Sequence, residues 1–255
     1  MSTPAWPASP TLVGVGVGPG DPSLVTLRAV DVLRRAEVIL VPATDTATSD
    51  EGRAEVIVRA VCEGAESRLR RVPFSMARKS GVGERRRQAW QASAEAATDA
   101  FAAGARTVAF ATVGDPSVYS TFSYLAAHVR AAVPGLVVEV VPGITAMQAL
   151  AAASRTPLVE GRESLTLVPV TAGLDAVAAA LEHSDTVVAY KGGRQLPDLL
   201  NLVRERRPDG VGVLGVNVGL PGEQLVPLAE VPDGSAPYFS TVLVAPARTN
   251  TGGRL

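Results

Sequence analysis

The chain has 255 residues, 47% of them hydrophobic, and carries 24 basic against 25 acidic side chains for a formal net charge of -1. That length allows one large or two small domains with ample core, and the charge balance excludes a broad electrostatic pull toward nucleic acid or an anionic membrane. No apolar run is long enough to cross a bilayer, and the single cysteine, Cys62, rules out an internal disulfide and fits the cytosol.

Residues 1–10 hold Pro4, Pro7 and Pro10 and read as a loose leader. Leu12 to Val17 is then a short apolar run, read as a buried strand, that passes into Gly18-Pro19-Gly20-Asp21-Pro22-Ser23. Asp21 is placed to cap a helix and Pro22 suits a first turn. Leu24, Leu27, Val30 and Leu33 carry helical spacing on to Arg35. The glycines suggest a dinucleotide fingerprint, but its third glycine would fall on Pro19 or on Asp21, and Pro42 stands where a ribose-binding carboxylate is expected. The phosphate loop G-x-x-x-x-G-K-[ST] is absent too, so a backbone-lined pocket is indicated and a pyrophosphate in it is not.

A strand over Glu37–Val41 follows, then a polar loop and a helix from Glu51 that stops at Gly64. Arg68–Phe74 alternates like a strand and leads through a Gly-containing loop into a helix over Glu84–Ala103. Thr107–Val113 is a second buried strand, and it ends in Gly114-Asp115-Pro116-Ser117, the same four residues found at 20–23. Two copies at strand ends point to a shared ligand cleft, because α/β ligands bind at the carboxyl ends of parallel strands.

A helix over Val118–Ala132, a strand over Leu136–Val141, the turn Pro142-Gly143-Ile144-Thr145 and an alanine-rich helix complete the first half. Apolar runs at Leu165–Val170, Thr186–Tyr190, Val211–Val218 and Phe239–Ala245 follow. The class is α/β throughout, and about ten strands are too many for one compact sheet at this length. Two α/β domains, 11–118 and 119–245, with a frayed tail over 246–255, are therefore expected, meeting near the 114–120 loop.

No metal-ligand spacing is present. His128 and His183 stand alone on helical stretches, and no G-x-S-x-G elbow offers a nucleophile. Such a pocket suits chemistry in which a cofactor brings the leaving group and the protein supplies alignment. No catalytic residue is identified.

Together the run Val13 to Ala29, Gly114-Asp115-Pro116 and Pro142-Gly143-Ile144-Thr145 resembles the signature of the tetrapyrrole (class III) methyltransferases, in order and spacing. The resemblance spans about Thr11 to Ala245. It implies the tetrapyrrole methylase fold, S-adenosylmethionine in the cleft between two α/β domains, no metal, a homodimer, and a tetrapyrrole small molecule as partner, without nucleic acid or membrane. Within the family, Val41-Pro42, Val72-Pro73-Phe74-Ser75-Met76 and Pro237-Tyr238-Phe239-Ser240-Thr241 resemble the branch that methylates C20 of precorrin-2 in corrin synthesis, with or without cobalt. The uroporphyrinogen branch has Asp where Pro42 stands here, so that acid is missing.

Carried over position by position, the resemblance implies cofactor contacts at Pro19, at Val113, Gly114, Asp115 and Val118, and at the hydroxyls of Ser120 and Thr121. It adds Thr145 and Ala146 after the Pro-Gly turn, Tyr190 and Lys191, the strand end Asn217, Val218 and Gly219, and Thr241. Lys191 departs from the Tyr-Met common in relatives, and a cation beside a sulfonium is unfavourable. A many-carboxylate macrocycle calls for basic residues, and Arg78, Lys79, Arg85, Arg86 and Arg87 are the candidates; the competing reading is a solvated helix face. Tyr119 and Tyr238 either stack on the macrocycle or pack within the protein. An NAD-type oxidoreductase is disfavoured by the broken fingerprint, and binding motifs alone do not separate an enzyme from a ligand-sensing module.

Overall fold

The computed structural model describes residues 9–44, 52–74, 83–232 and 240–248. Two compact units divide the chain, Met1–Thr145 and Ala146–Leu255. The division falls later than the expected 118/119 because the strand over Val137–Val141 hydrogen-bonds into the first sheet beside Thr11–Gly16.

The first unit holds five parallel strands: β1 (Thr11–Gly16), β2 (Val38–Thr44), β3 (Leu69–Phe74), β4 (Thr107–Thr112) and β5 (Val137–Val141). Their order across the sheet is β3-β2-β4-β1-β5. Every residue of β1 and of β4 is buried, as central strands covered on both faces require. Alternation sorts the side chains. Val13, Val15, Ile39 and Ala109 meet α1 (Leu27–Arg35) and α2 (Arg53–Val61), whereas Leu12, Leu40, Val108 and Phe110 meet α3 (Glu84–Ala102) and α4 (Phe122–Ala132). Gly14 belongs to this packing and not to a ligand loop: a Cβ there would lie 2.6 Å from the Phe122 ring.

Asp21 does cap, but what it caps is a single 3-10 turn over Pro22–Leu24, with its carboxylate accepting from Ser23 N at 2.8 Å. The long helix begins only at Leu27, where Thr26 Oγ1 accepts from Ala29 N. Likewise α4 starts at Phe122, four residues after the expected Val118. Both differences have one cause: Asp-Pro-Ser favours a local turn, and that turn is spent before the helix proper nucleates.

In the second unit, β6 (Leu165–Pro169), β7 (Thr186–Tyr190), β8 (Val211–Val216), β9 (Gln224–Pro227) and β10 (Ser240–Ala245) form a mixed sheet in the order β6-β7-β10-β8-β9. β6 and β7 run parallel, while β10 is antiparallel to both neighbours. α6 (Leu174–His183) and α7 (Leu196–Arg206) cover one face, and α5 (Ala146–Ser154) sets Leu150 against Val188, Val213 and Leu243 on the other. The expected tail is anchored at its start. The Arg248 guanidinium, 15% exposed, holds both Glu163 oxygens at 2.7 and 2.8 Å and donates to Pro157 O.

Candidate functional site

Three loops leave the carboxyl ends of β4, β1 and β5, which are neighbours in the sheet. From β1 the chain crosses β4 to reach β2, and from β4 it crosses β1 to reach β5, so β1 and β4 flank the point where strand order reverses. That point is where open α/β sheets bind ligands. There the two Gly-Asp-Pro-Ser loops touch through their backbones: Val17 N donates to Thr112 O at 2.9 Å and Gly114 N to Gly18 O at 2.7 Å. Gly18 and Gly114 both take left-handed φ, 77° and 74°, which suits glycine.

The third loop packs onto the first two. A Cβ on Gly16 would fall 2.6 Å from Gly114 O and from Gly143 N, and one on Gly143 would fall 2.2 Å from Gly114 O. Asp115, 8% exposed, ties the assembly. Its Oδ1 accepts from Ser117 N at 2.7 Å and from the Ser117 hydroxyl, and its Oδ2 accepts from Gly143 N at 2.9 Å. Burial by itself would raise this carboxyl, yet the bonds from the Ser117 hydroxyl, Gly143 N–H and Ser117 N–H together hold it below its ordinary value. Asp115 is therefore an ionised brace between loops.

Around this brace lie the remaining first-unit candidates. Pro19 is buried, as is Thr145; Val113 and Val118 are half-buried. The Ser120 hydroxyl donates to Thr112 Oγ1 at 3.3 Å and accepts from Phe122 N, whereas Thr121 makes no capping bond. Tyr119 sits in the same segment with φ 51° and 43% exposure, a conformation that a bulky L-residue rarely adopts.

The second-unit candidates gather at one end of their own sheet. Tyr190 ends β7, Thr241 pairs with it on β10, and Thr241 pairs on its other side with Gly215 of β8, two residues before Asn217. Asn217, Val218 and Gly219 are half-buried, and Lys191 and Asn217 adopt left-handed φ of 60° and 50°. The Tyr190 hydroxyl accepts from Met147 N at 2.9 Å, so it caps α5, whose first residue is Ala146. Thr241 is buried in the sheet.

The basic candidates divide. Arg78, Lys79 and Tyr238 lie outside the described residues, and Arg85 is placed only as backbone at the start of α3. Arg87 forms an exposed pair with Glu84 at 3.3 Å, the solvated-face arrangement. Arg86 is different: its guanidinium lies 5.0 Å over the Trp90 ring, which in turn stacks on Tyr124 at 4.1 Å. Trp90 lines a pocket with Pro42, Val72, Pro73 and Thr121, beside the carboxyl ends of β2 and β3. Sequence reasoning did not single out Trp90 or Tyr124; the i,i+4 spacing of Arg86 and Trp90 was the available signal. It also missed Glu55, a buried carboxylate held by Arg71 and Arg59 between α2 and β3. The Arg71 hydrogen bonds outweigh burial and keep that carboxyl low.

A parallel α/β unit with glycine-lined backbone loops at its switch point has the arrangement at which open α/β sheets bind ligands. Residues 11–232 match the family of Tetrapyrrole (Corrin/Porphyrin) Methylases. The chain belongs to that family. It is 36% identical over 236 residues to a Sinorhizobium protein named precorrin-2 C(20)-methyltransferase, covering 91% of this chain and 94% of that one. It is 32% identical over 235 residues to a Salmonella typhimurium protein named cobalt-precorrin-2 C(20)-methyltransferase, covering 91% and 95%. Its fold matches a uroporphyrin-III C-methyltransferase of Thermus thermophilus, solved in complex with S-adenyl homocysteine, with a TM-score of 0.62, 21% identity and coverage of 92% and 97%.

Proposed function

We propose that this chain transfers the methyl group of S-adenosylmethionine to C20 of precorrin-2, as a cytoplasmic homodimer in corrin synthesis. What carries the reading is near full-length identity of 36% to a protein named for that reaction, in a chain whose two signature loops meet as Gly18 and Gly114. The loops also suit the methyl donor chemically. It has a carboxylate and an ammonium but no phosphate, and backbone N–H and C=O groups serve both. A Cβ on Gly114 would point into open space, with only Thr145 Cα as near as 4.0 Å, so a ligand can approach that backbone closely.

In this reading Gly114, Val113, Val118, Ser120, Thr121, Thr145 and Pro19 hold the donor from the first unit, and Asp115 fixes the loops that do so. Ala146, Tyr190, Lys191, Asn217, Val218, Gly219 and Thr241 are proposed donor contacts from the second. The donor supplies an electrophilic methyl on a sulfonium. The pyrrole-activated meso carbon forms the new C–C bond as the S–CH3 bond breaks, leaving a neutral thioether, and the C20 proton leaves to solvent. The protein's part is alignment, worth on the order of 7–11 kcal/mol of barrier at best. Incubation with precorrin-2 and carbon-13-methyl donor should place the label at C20 by NMR; a label at another carbon overturns the assignment. The same incubation with cobalt-precorrin-2 tests the form for which the Salmonella relative is named, and light scattering at twice the chain mass tests the dimer.

A further inference from the structure

Arg86 and Arg87 are adjacent on α3 but meet different surroundings. Arg87 has Glu84, and both side chains are about two-thirds exposed, at 66% and 69%. Arg86 is half-buried against Trp90, and its buried Nε has no hydrogen-bond partner. No carboxylate among the described residues pairs with it. A ring face attracts the cation, by about 0.5–2 kcal/mol, but accepts no strong hydrogen bond from the guanidinium edge. A buried guanidinium N–H without an acceptor is costly, so its retention needs a reason.

The same molecule shows what such an edge binds. Arg71 grips Glu55 side-on, Nε to Oε2 at 2.7 Å and Nη2 to Oε1 at 3.1 Å. The Arg86 Nε, by contrast, has no such acceptor. The Trp90 ring under Arg86 also lines a small recess with Pro42, Val72, Pro73, Ser93 and Thr121.

We propose that Arg86 is a specificity-determining residue for the substrate: held over the Trp90 ring, its guanidinium binds a peripheral carboxylate of an acidic tetrapyrrole side-on. Resting on the reaction proposed above, the assignment adds which arginine reads the acid and where. It also removes Arg87 from the substrate contacts.

The test compares Arg86→Gln, Arg86→Lys and Arg87→Gln in the full chain. Arg86→Gln should raise KM for precorrin-2 about tenfold, the loss of a charged hydrogen bond, with kcat and donor affinity within twofold of wild type. Arg86→Lys should recover only part of it, since a point charge replaces a fork, and Arg87→Gln should match wild type. An Arg86→Gln KM within twofold of wild type, or equal effects at 86 and 87, overturns the proposal. A second readout needs no turnover. The chain has two tryptophans, so Trp6→Phe leaves Trp90 as the sole indole to report titration with uroporphyrin. The Trp6→Phe protein should be quenched, and adding Arg86→Gln to it should weaken binding about tenfold; no quenching, or equal affinities, overturns the assignment. Absent methyl transfer with Arg86-dependent uroporphyrin binding would instead strike the proposed reaction alone.

Discussion

Gly20-Asp21-Pro22-Ser23 and Gly114-Asp115-Pro116-Ser117 follow two parallel strands that lie side by side, and their carboxylates reach different partners. Asp21 is solvated and accepts from its own turn, which lowers its pKa through Ser23 N–H first and the Ser23 hydroxyl second. Asp115 accepts within its turn as well, but its second oxygen also crosses to Gly143 on the loop after β5. What allows the crossing is Gly16, at the end of the strand between them: with no Cβ there, the β4 and β5 loops close over β1. Identical tetrapeptides thus become a local cap in one place and a brace between loops in the other, according to what the neighbouring strand leaves open.

Asp115→Ala gives the largest contrast. It strands the Gly143 and Ser117 N–H groups and should cost about 2–3 kcal/mol, read as a drop in the urea midpoint, while Asp21→Ala should cost only a small fraction of that. Equal losses would make Asp115 another local cap. Gly114→Ala comes next. It carries the strain of a left-handed L-residue, about 1–2 kcal/mol, and puts a methyl into the space a ligand would occupy. Gly135→Ala is matched in strain, φ 72° with open space around it, but precedes β5 at the opposite end of the sheet. Both should lose similar stability; only Gly114→Ala should weaken S-adenosylmethionine binding, by tenfold or more in calorimetry below the unfolding range. Equal affinities would move the donor away from Gly114.

Acid sharpens the same comparison. The folded Asp115 pKa lies below the unfolded value, so its stabilisation is fully present above the unfolded value, about 3.9, and disappears as pH falls through the folded value. The gap between wild type and Asp115→Ala should stay constant from neutral pH to about pH 5 and close at lower pH. Asp21 and Glu163 are also held low, the latter chiefly by Arg248, but both are present in each protein and cancel in the difference. A gap that widens in acid would mean that the carboxyl is protonated in the folded state.

Much of the fold was legible because it is written in local pattern. β1 and β4 announce themselves as unbroken apolar runs, and the repeated tetrapeptide marks their ends. Strand order is not local. Nothing in residues 107–145 says that β5 pairs with β1, and that pairing both moves the boundary to 145/146 and brings Gly143 to Asp115. β9 escaped because Gln224–Pro227 is too short to show alternation. At the site, the glycines were legible as a set, but their separate roles were not: Gly14 serves the Phe122 ring, Gly16 and Gly143 allow loops to touch, and Gly114 faces open space. The arginines could not be sorted by spacing, since Arg86 and Arg87 differ only in which side of α3 carries Trp90.

Strain offers the finest test, with the smallest expected change. Tyr119 and Arg155 share nearly the same left-handed φ, 51° and 56°. Arg155 directly follows α5, where Thr156 N bonds back to Ala151 O, the ordinary way to end a helix. Tyr119 ends no helix; it stands between the Asp115 turn and the start of α4, where a glycine would cost less. Replacing either by glycine should relieve strain and raise stability by up to about 1 kcal/mol. If the Tyr119 ring faces the macrocycle, Tyr119→Gly should raise substrate KM several-fold with that gain, Tyr119→Phe should keep wild-type KM, and Arg155→Gly should leave KM unchanged. A Tyr119→Gly protein that is less stable, with unaltered KM, would assign the ring to packing and remove it from the substrate's path.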